Sequence, residues 1–481
     1  MHRTTCTTAS GIAFVSTLAL CAAGISRVQP QVVADRPQET RIAIGENMIS
    51  CNGDTPGLPV SACFAPGTPA EERLAVTQAM VDAWYAQHGG EEGGAAYELG
   101  TRWSLGGSSS QGAPVTIRWS IVPDGLFIPN GGLGSGSSNF QAKLATVFGS
   151  VENGRVKIRE VFGAWHALTG ITYTELASDD GAAFGTAGSS ARGDVRIGGI
   201  ALTNNNVLAY NYFPQDGDMV VNTGIGWGSS ANNYRYFRNI LMHEHGHGIG
   251  LAHVCPANSS KLMEPFISVN FDGPQHDDIR GGQRHYGDWK EPNDSSAAAT
   301  AVTSTGTQSF TNISIDDNAD SDWFKFTGAP GMKVTVKVQP NGFSSYVTGA
   351  ETSQCNSGST INTLAVQDLQ ISMYNPSLGL LFTQNSAAAG VLEQVLNYQL
   401  TLSGTHYVRI FPAGVVDNIQ TYTITFIFTP AILGDLNGDG VVDGTDLGLM
   451  LGQWGGPGSA DLNNSGAVDG TDLGLLLGAW G

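Results

Sequence analysis

Positive charge is scarce in this chain. Of 481 residues only 23 are Lys or Arg, against 42 Asp or Glu, and the formal net charge is −19. That balance excludes nucleic acid as a partner, because a phosphate backbone is bound through a basic stripe. Acidity serves solubility in its plainest reading and calcium binding in a sharper one, since hard cations take oxygen ligands. Long apolar runs are missing as well. The run 11–23 is too short to cross a bilayer comfortably, and no later segment approaches the required length. With His2 and Arg3 before it and small residues after it, that run reads as an export signal over residues 1–24, cut near Ala23 or Gly24. A lipid anchor on Cys21 would need a small residue before it, and Leu20 stands there. The mature chain is therefore expected outside the cell or at its surface, with no transmembrane segment. Cysteine is sparse: Cys6 and Cys21 leave with the signal, and Cys51, Cys63, Cys255 and Cys355 remain. Export permits disulfides, and Cys51 with Cys63 would close a short loop, but spacing alone does not fix pairing.

Glycine is plentiful at 64 residues, and with runs of Ser, Thr and Asn it suits β-rich extracellular modules. The length implies several domains. Residues 25–105 read as a leader or pro-segment, Pro/Gly-rich around Cys51 and Cys63 and then helical from Pro69 to about His88. Residues 106–288 read as an α+β domain, with strands at 114–121, 171–175, 194–200, 207–213 and 218–222. Helical spacing covers 140–168, and a further helix starts near Asn233. After a linker at 289–294, alternation at 333–339, 364–373, 406–411 and 421–428 predicts a β-sandwich over 289–430. Residues 434–481 hold an internal repeat: GDLNGDGVVDGTDLGLMLGQWG returns as ADLNNSGAVDGTDLGLLLGAWG.

The strongest chemical signal runs from His243 to His253, HEHGHGIGLAH. On a helix, positions i and i+4 share a face, so His243 and His247 point at one ion. Glu244 stands about 100° round the helix, where a carboxylate reaches metal-activated water without becoming a ligand. Gly250 is free to take positive φ, ending the helix and delivering His253 as third ligand. Three protein nitrogens leave a coordination position open, the mark of a catalytic zinc. His245, about 200° from His243, turns away and reads as a packing or surface residue.

HExGHxxGxxH followed by a methionine turn resembles the metzincin zinc peptidases, with Met263 as the turn methionine. Within that clan residues 110–288 most resemble the matrixins: VKIREVFGAWHALT at 156–169, the strand at 194–200, the GD…W segment at 217–227 and QHDDIRGGQRHYG at 275–287 carry the likeness. The resemblance implies an endopeptidase acting on protein substrates, with Glu244 as general base, one zinc on His243, His247 and His253, and Pro265 beside the scissile bond. Three features depart from the matrixin pattern. Val254 replaces the usual Ser after the third histidine. Tyr210 and Val220 stand where a second, structural zinc would need histidines, so that zinc is expected to be absent. No PRCGxPD latch is present; Cys51 is a candidate latch, with a Cys51–Cys63 disulfide the favoured reading. Tyr286 reads as core in preference to an oxyanion donor.

In the repeat, Asp435, Asn437, Asp439, Val441 (through its carbonyl), Asp443 and Asp446 occupy calcium-loop positions. Asp461, Asn463, Ser465, Ala467, Asp469 and Asp472 do so in the second copy. Asp at position 12 and a following helix resemble type I dockerins, which implies one or two calcium ions and a cohesin-like or cell-surface docking partner. Ser465 in place of the usual Asp implies a weaker second site. EPND at 291–294, DSDWFKF at 320–326 and GTHYVRI at 404–410 resemble the bacterial pre-peptidase C-terminal domain. Glu291, Asn293 and Asp322 are candidate calcium ligands there, with a satisfied turn preferred. The expected architecture is multidomain: an α+β metzincin catalytic domain, a β-sandwich and a small α-helical, EF-hand-like dockerin tail.

Overall fold

The computed structural model describes residues 60–73, 75, 76, 79, 80, 101–107, 110–254, 259–348 and 359–481. The signal, Cys51, Cys255 and Cys355 lie outside the described residues. The described residues all belong to one compact unit.

The first part is built on a six-stranded sheet of β1 (Val60–Phe64), β2 (Val115–Ile121), β3 (Ile171–Glu175), β4 (Val195–Ile200), β5 (Val207–Tyr212) and β6 (Met219–Asn222), in spatial order β1-β5-β6-β4-β2-β3. Strands β6, β4, β2 and β3 are mutually parallel; β5 runs antiparallel to β6, and β1 antiparallel to β5. Strands β4, β5 and β6 are buried along their whole length, which requires cover on both faces. On one face pack α1 (Phe140–Phe148), α2 (Val151–His166) and α3 (Arg235–Gly248), through Leu144, Ile158, Phe162, Trp165, Phe237 and Leu241. On the other, Ile128, Ile200, Val207 and Val220 form a second core. The helical spacing at 140–168 proves to be two helices. Gly149 takes φ 85° and ends α1, and Ser150 caps α2 by accepting the Asn153 N–H. A last helix, α4 (His276–Tyr286), closes the domain.

Residues 60–64, within the stretch read from sequence as leader or possible pro-segment, form the edge strand of the peptidase sheet. Ala62 and Phe64 pack into the second core together with Val76 and Met80 of the following helical stretch.

Two antiparallel sheets form the sandwich. One has the order Gly306–Ile315, Gln420–Thr429, Lys333–Pro340, Glu393–Gln399. The other runs Leu380–Gln384, Leu369–Tyr374, Gly404–Pro412, Asp322–Gly328, with Thr300–Ala301 added in parallel. Inward residues of both sheets, among them Phe324, Val336, Ile371, Val408 and Phe426, make one core. The strand expected at 364–373 starts only at Leu369, because Gln420 Oε1 takes the N–H groups of Val366 and Gln367. In the tail, α5 (Gly444–Leu451) and α6 (Gly470–Gly478) are each opened by an aspartate capping box, Asp443 with Asp446 and Asp469 with Asp472. Val442, Met450, Ala460, Val468 and Leu476 form their shared core.

Candidate metal centre

Helix α3 is apolar at Phe237, Ile240 and Leu241, and it lies buried between the sheet and α2. His243 and His247 follow one turn apart, and the chain then reverses at Gly250. That residue has φ +92°, and a Cβ there would stand 2.2 Å from the Thr101 carbonyl, so both conformation and space require glycine. The reversal brings His253 onto the other two. The three Nε2 atoms lie 3.1 Å from one another. These are not hydrogen bonds. His243 Nδ1 and His247 Nδ1 each face a backbone carbonyl, Leu262 O and Leu251 O, at 2.7 Å. A carbonyl only accepts, so the proton of each ring sits on Nδ1 and the Nε2 lone pair is left facing inward. Tetrahedral zinc with nitrogens at 2.0–2.1 Å sets them about 3.3 Å apart. The cradle fits a zinc ion.

Burial reinforces this state. It lowers the His247 imidazole to about 3, and it holds His243 and His253 well below the ordinary histidine range. Neutral imidazole is the ligand form.

Met263 packs against the helix that carries His243 and His247. A Cβ on Gly246 would come 2.3 Å from Met263 Sδ, so the glycine of HEHGH makes room for that sulfur. The turn is held by Asp278, which accepts the N–H groups of Leu262 and Met263 at 2.8 and 3.0 Å. Burial raises the Asp278 carboxyl to about 7.

Glu244 is fully buried, and its Oε1 accepts the backbone N–H of Cys63 at 3.0 Å. Cys63 is a free, fully buried thiol; its sulfur, a His243 nitrogen and a Glu244 oxygen lie within 4.8 Å of one another. One expectation is corrected here. Cys63 is not disulfide-bonded, and among the described residues it is Cys63 that stands at the metal centre; Cys51, the candidate latch, lies outside them. Antiparallel pairing of β1 with β5 is what carries Cys63 across the site, and loop spacing between cysteines holds no trace of that pairing. The remaining clue in the sequence is the alternation of VSACF.

Other candidates fall as follows. His245 turns away and meets Tyr173 OH at 2.7 Å among Phe162 and Tyr173, a packing role. Tyr286 OH accepts the Trp103 N–H and donates to Ile249 O, so it is core. Tyr210 and Val220 are fully buried cross-strand partners. Pro265 O accepts the Phe64 N–H at 3.3 Å.

Two further acidic regions differ in kind. In the tail loops the carboxylates turn onto their own backbone: Asp435 accepts from Gly438, Asp439 and Gly440, and Asp461 from Ser465 and Gly466. At the start of the sandwich, carboxyl oxygens of Glu291, Asp294 and Asp320 gather within 4.8 Å. Part of the satisfied turn expected there forms: the Asn293 N–H donates to Glu291 Oε2 at 2.9 Å and its carbonyl accepts the Trp323 N–H. The Asn293 side chain is fully buried beside Asp322, and one oxygen each of Asp320 and Asp322 lacks a hydrogen-bond partner. Burial, with neighbouring carboxylates, raises Asp288 to about 7, Asp316 to about 8 and Glu291 to about 9.

Three solved structures show low overall likeness. The pre-peptidase C-terminal domain of a Bacillus anthracis collagenase is 11% identical, covering 27% of this chain and 94% of that one, with a TM-score of 0.17. Aeromonas hydrophila PliG, a periplasmic inhibitor of g-type lysozyme, is 10% identical over 27% and 97%, with a TM-score of 0.16. Myroilysin is 13% identical over 47% and 77%, with a TM-score of 0.19. At such scores none carries weight about this chain. No curated protein matches it. The family model of the matrixins matches residues 146–287, the stretch that holds α2, α3, the histidine triad and α4. Those residues are a matrixin domain, which supports a zinc metallopeptidase.

Proposed function

We propose that this chain is an exported zinc endopeptidase, held latent in the form described by the thiol of Cys63. The observation that carries the reading is the convergence of three Nε2 lone pairs, with Glu244 on the next helical position. Zinc bound there supplies the charge that acidifies a water and polarises a peptide carbonyl. His243 and His247 are oriented by carbonyls on their outer nitrogens, which keeps the inner lone pairs aimed at one point. Glu244 takes the proton of the attacking water and passes it to the departing amine. Burial of Glu244 strengthens that proton shuttle by excluding bulk water. Cys63 occupies the space the water needs, and latency is its consequence.

Calcium is proposed in two structural places. Asn293, Glu291, Asp294, Asp320 and Asp322 are read as a cation site at the root of the sandwich, because carboxyls buried this close together need a counter-charge. The tail loops are read as a calcium-ordered, dockerin-like pair with a docking role. In them the capping aspartates Asp446 and Asp472 close each loop.

The test is chelator-sensitive cleavage of an unfolded protein by C63A, with products identified by mass spectrometry. Activity in C63A that disappears in C63A/E244Q is the expected result. Equal cleavage by both would end the reading.

A further inference from the structure

β1 does more than bring a thiol to the metal. It is held on both flanks, as a peptide must be to be cut. On one side it pairs antiparallel with β5, Ala62 opposite Tyr210 and Cys63 opposite Ala209, and the Ala65 N–H donates to Asn206 O at 2.7 Å. On the other, the Phe64 N–H donates to Pro265 O at 3.3 Å and the Ile267 N–H to Phe64 O at 3.5 Å, a parallel bridge to the segment after the methionine turn. Between those flanks the Cys63 amide nitrogen sits 3.0 Å from Glu244 Oε1. In peptide hydrolysis the nitrogen beside the proton-donating carboxylate is the one that leaves. The bond to which that nitrogen belongs is Ala62–Cys63.

We infer that residues 60–65 lie in the cleft with the polarity of a substrate, and that Cys63 guards the bond formed by its own nitrogen. This rests on the endopeptidase reading above. With the thiol gone, water enters beside Glu244 and the chain cuts itself between residues 62 and 63. The hydroxyl of water goes to the carbonyl carbon of residue 62, and its proton travels through Glu244 to the nitrogen of residue 63. The C–N bond breaks, leaving a carboxylate at 62 and an amine at 63, with no electron transfer. The cleft thereby names its own substrate class: an extended segment with a small residue before the bond and a large apolar one, as Phe64, two places after it.

The full chain carrying C63A, or C63S should the alanine variant fold poorly, is incubated with zinc and its N-terminus read by mass spectrometry. A species beginning at residue 63 is expected, formed at a rate unchanged on dilution and absent in the double variant with E244Q. A C63A chain that digests added protein while its own 62–63 bond survives would overturn the inference and leave the endopeptidase reading standing; inertness toward both would overturn both. A second readout needs no turnover. In C63A/E244Q the amides of residues 63–65 are expected to keep hydrogen-exchange protection within about tenfold of the parent, since the flanking strands hold them. Exchange of those amides at free-chain rates would show that the thiol was the anchor, contradicting substrate-like binding.

Discussion

The backbone N–H of Cys63 donates to Oε1 of Glu244 across 3.0 Å, joining residues 181 positions apart. One bond thus links the edge strand of the sheet to the group proposed as general base. In a C63A background, E244Q is predicted to lower cleavage by about 10²–10⁴-fold, the range for losing a positioned acid–base group. Zinc content should not change, because Glu244 is no part of the triad. Parallel rate and metal assays on the two proteins check this; loss of zinc with the glutamine would place Glu244 among the ligands.

Met263 and Gly246 share a space too small for another methyl group. G246A sets a Cβ 2.3 Å from Met263 Sδ and 3.5 Å from the Trp165 ring, in a fully packed region. It is predicted to cost about 1–3 kcal/mol of stability, the usual range for overpacking. Urea titration of E244Q and E244Q/G246A, both unable to digest themselves, measures it.

The carboxyls at the root of the sandwich give the stability a pH dependence. Asp288, Asp316 and Glu291 sit at about 7, 8 and 9 in the folded chain, raised by burial and by one another, with Lys290 and Arg284 as the nearby cations. Unfolded, such groups titrate at about 4. The folded chain therefore binds more protons between those values, and stability without calcium is predicted to fall as pH rises from about 4 toward 9. Calcium should oppose the fall. Melting in calcium-free and calcium-containing buffer at pH 5 and pH 8 tests this, with the larger calcium shift expected at pH 8. In D320N/D322N that shift should shrink.

The tail has its own core in Val442, Met450, Ala460, Val468 and Leu476, and Lys333 Nζ reaches across to Gly438 O at 2.7 Å. A chain ending at Pro430 is predicted to keep the chelator-sensitive activity of C63A. Abolished activity with retained fold would place tail residues in the peptidase.

Much of the metal centre was legible in the sequence because its geometry is local. His243, Glu244 and His247 fall within five residues of one helix, and Gly250 turns the chain only three places before His253. The sandwich strands at 333–340, 404–412 and 420–429 followed from alternation, since each buries one face. What sequence missed was long-range. Nothing in VSACF names Val207–Tyr212 as its partner, so sequence favours a disulfide for Cys63 and gives residues 60–64 no place in the peptidase sheet. The break at Gly149 was hidden because both helices it separates carry helical apolar spacing. Asn293 looked like an ordinary turn residue, and only the fold buries it fully beside Asp320 and Asp322.

The central claim is that His243, His247 and His253 hold one zinc, and metal analysis of the purified chain tests it most directly. One zinc per chain is predicted for the parent, with the content falling sharply in each of H243A, H247A and H253A and unchanged in H245A. A parent that holds no zinc, or a zinc content indifferent to all three substitutions, would contradict the account.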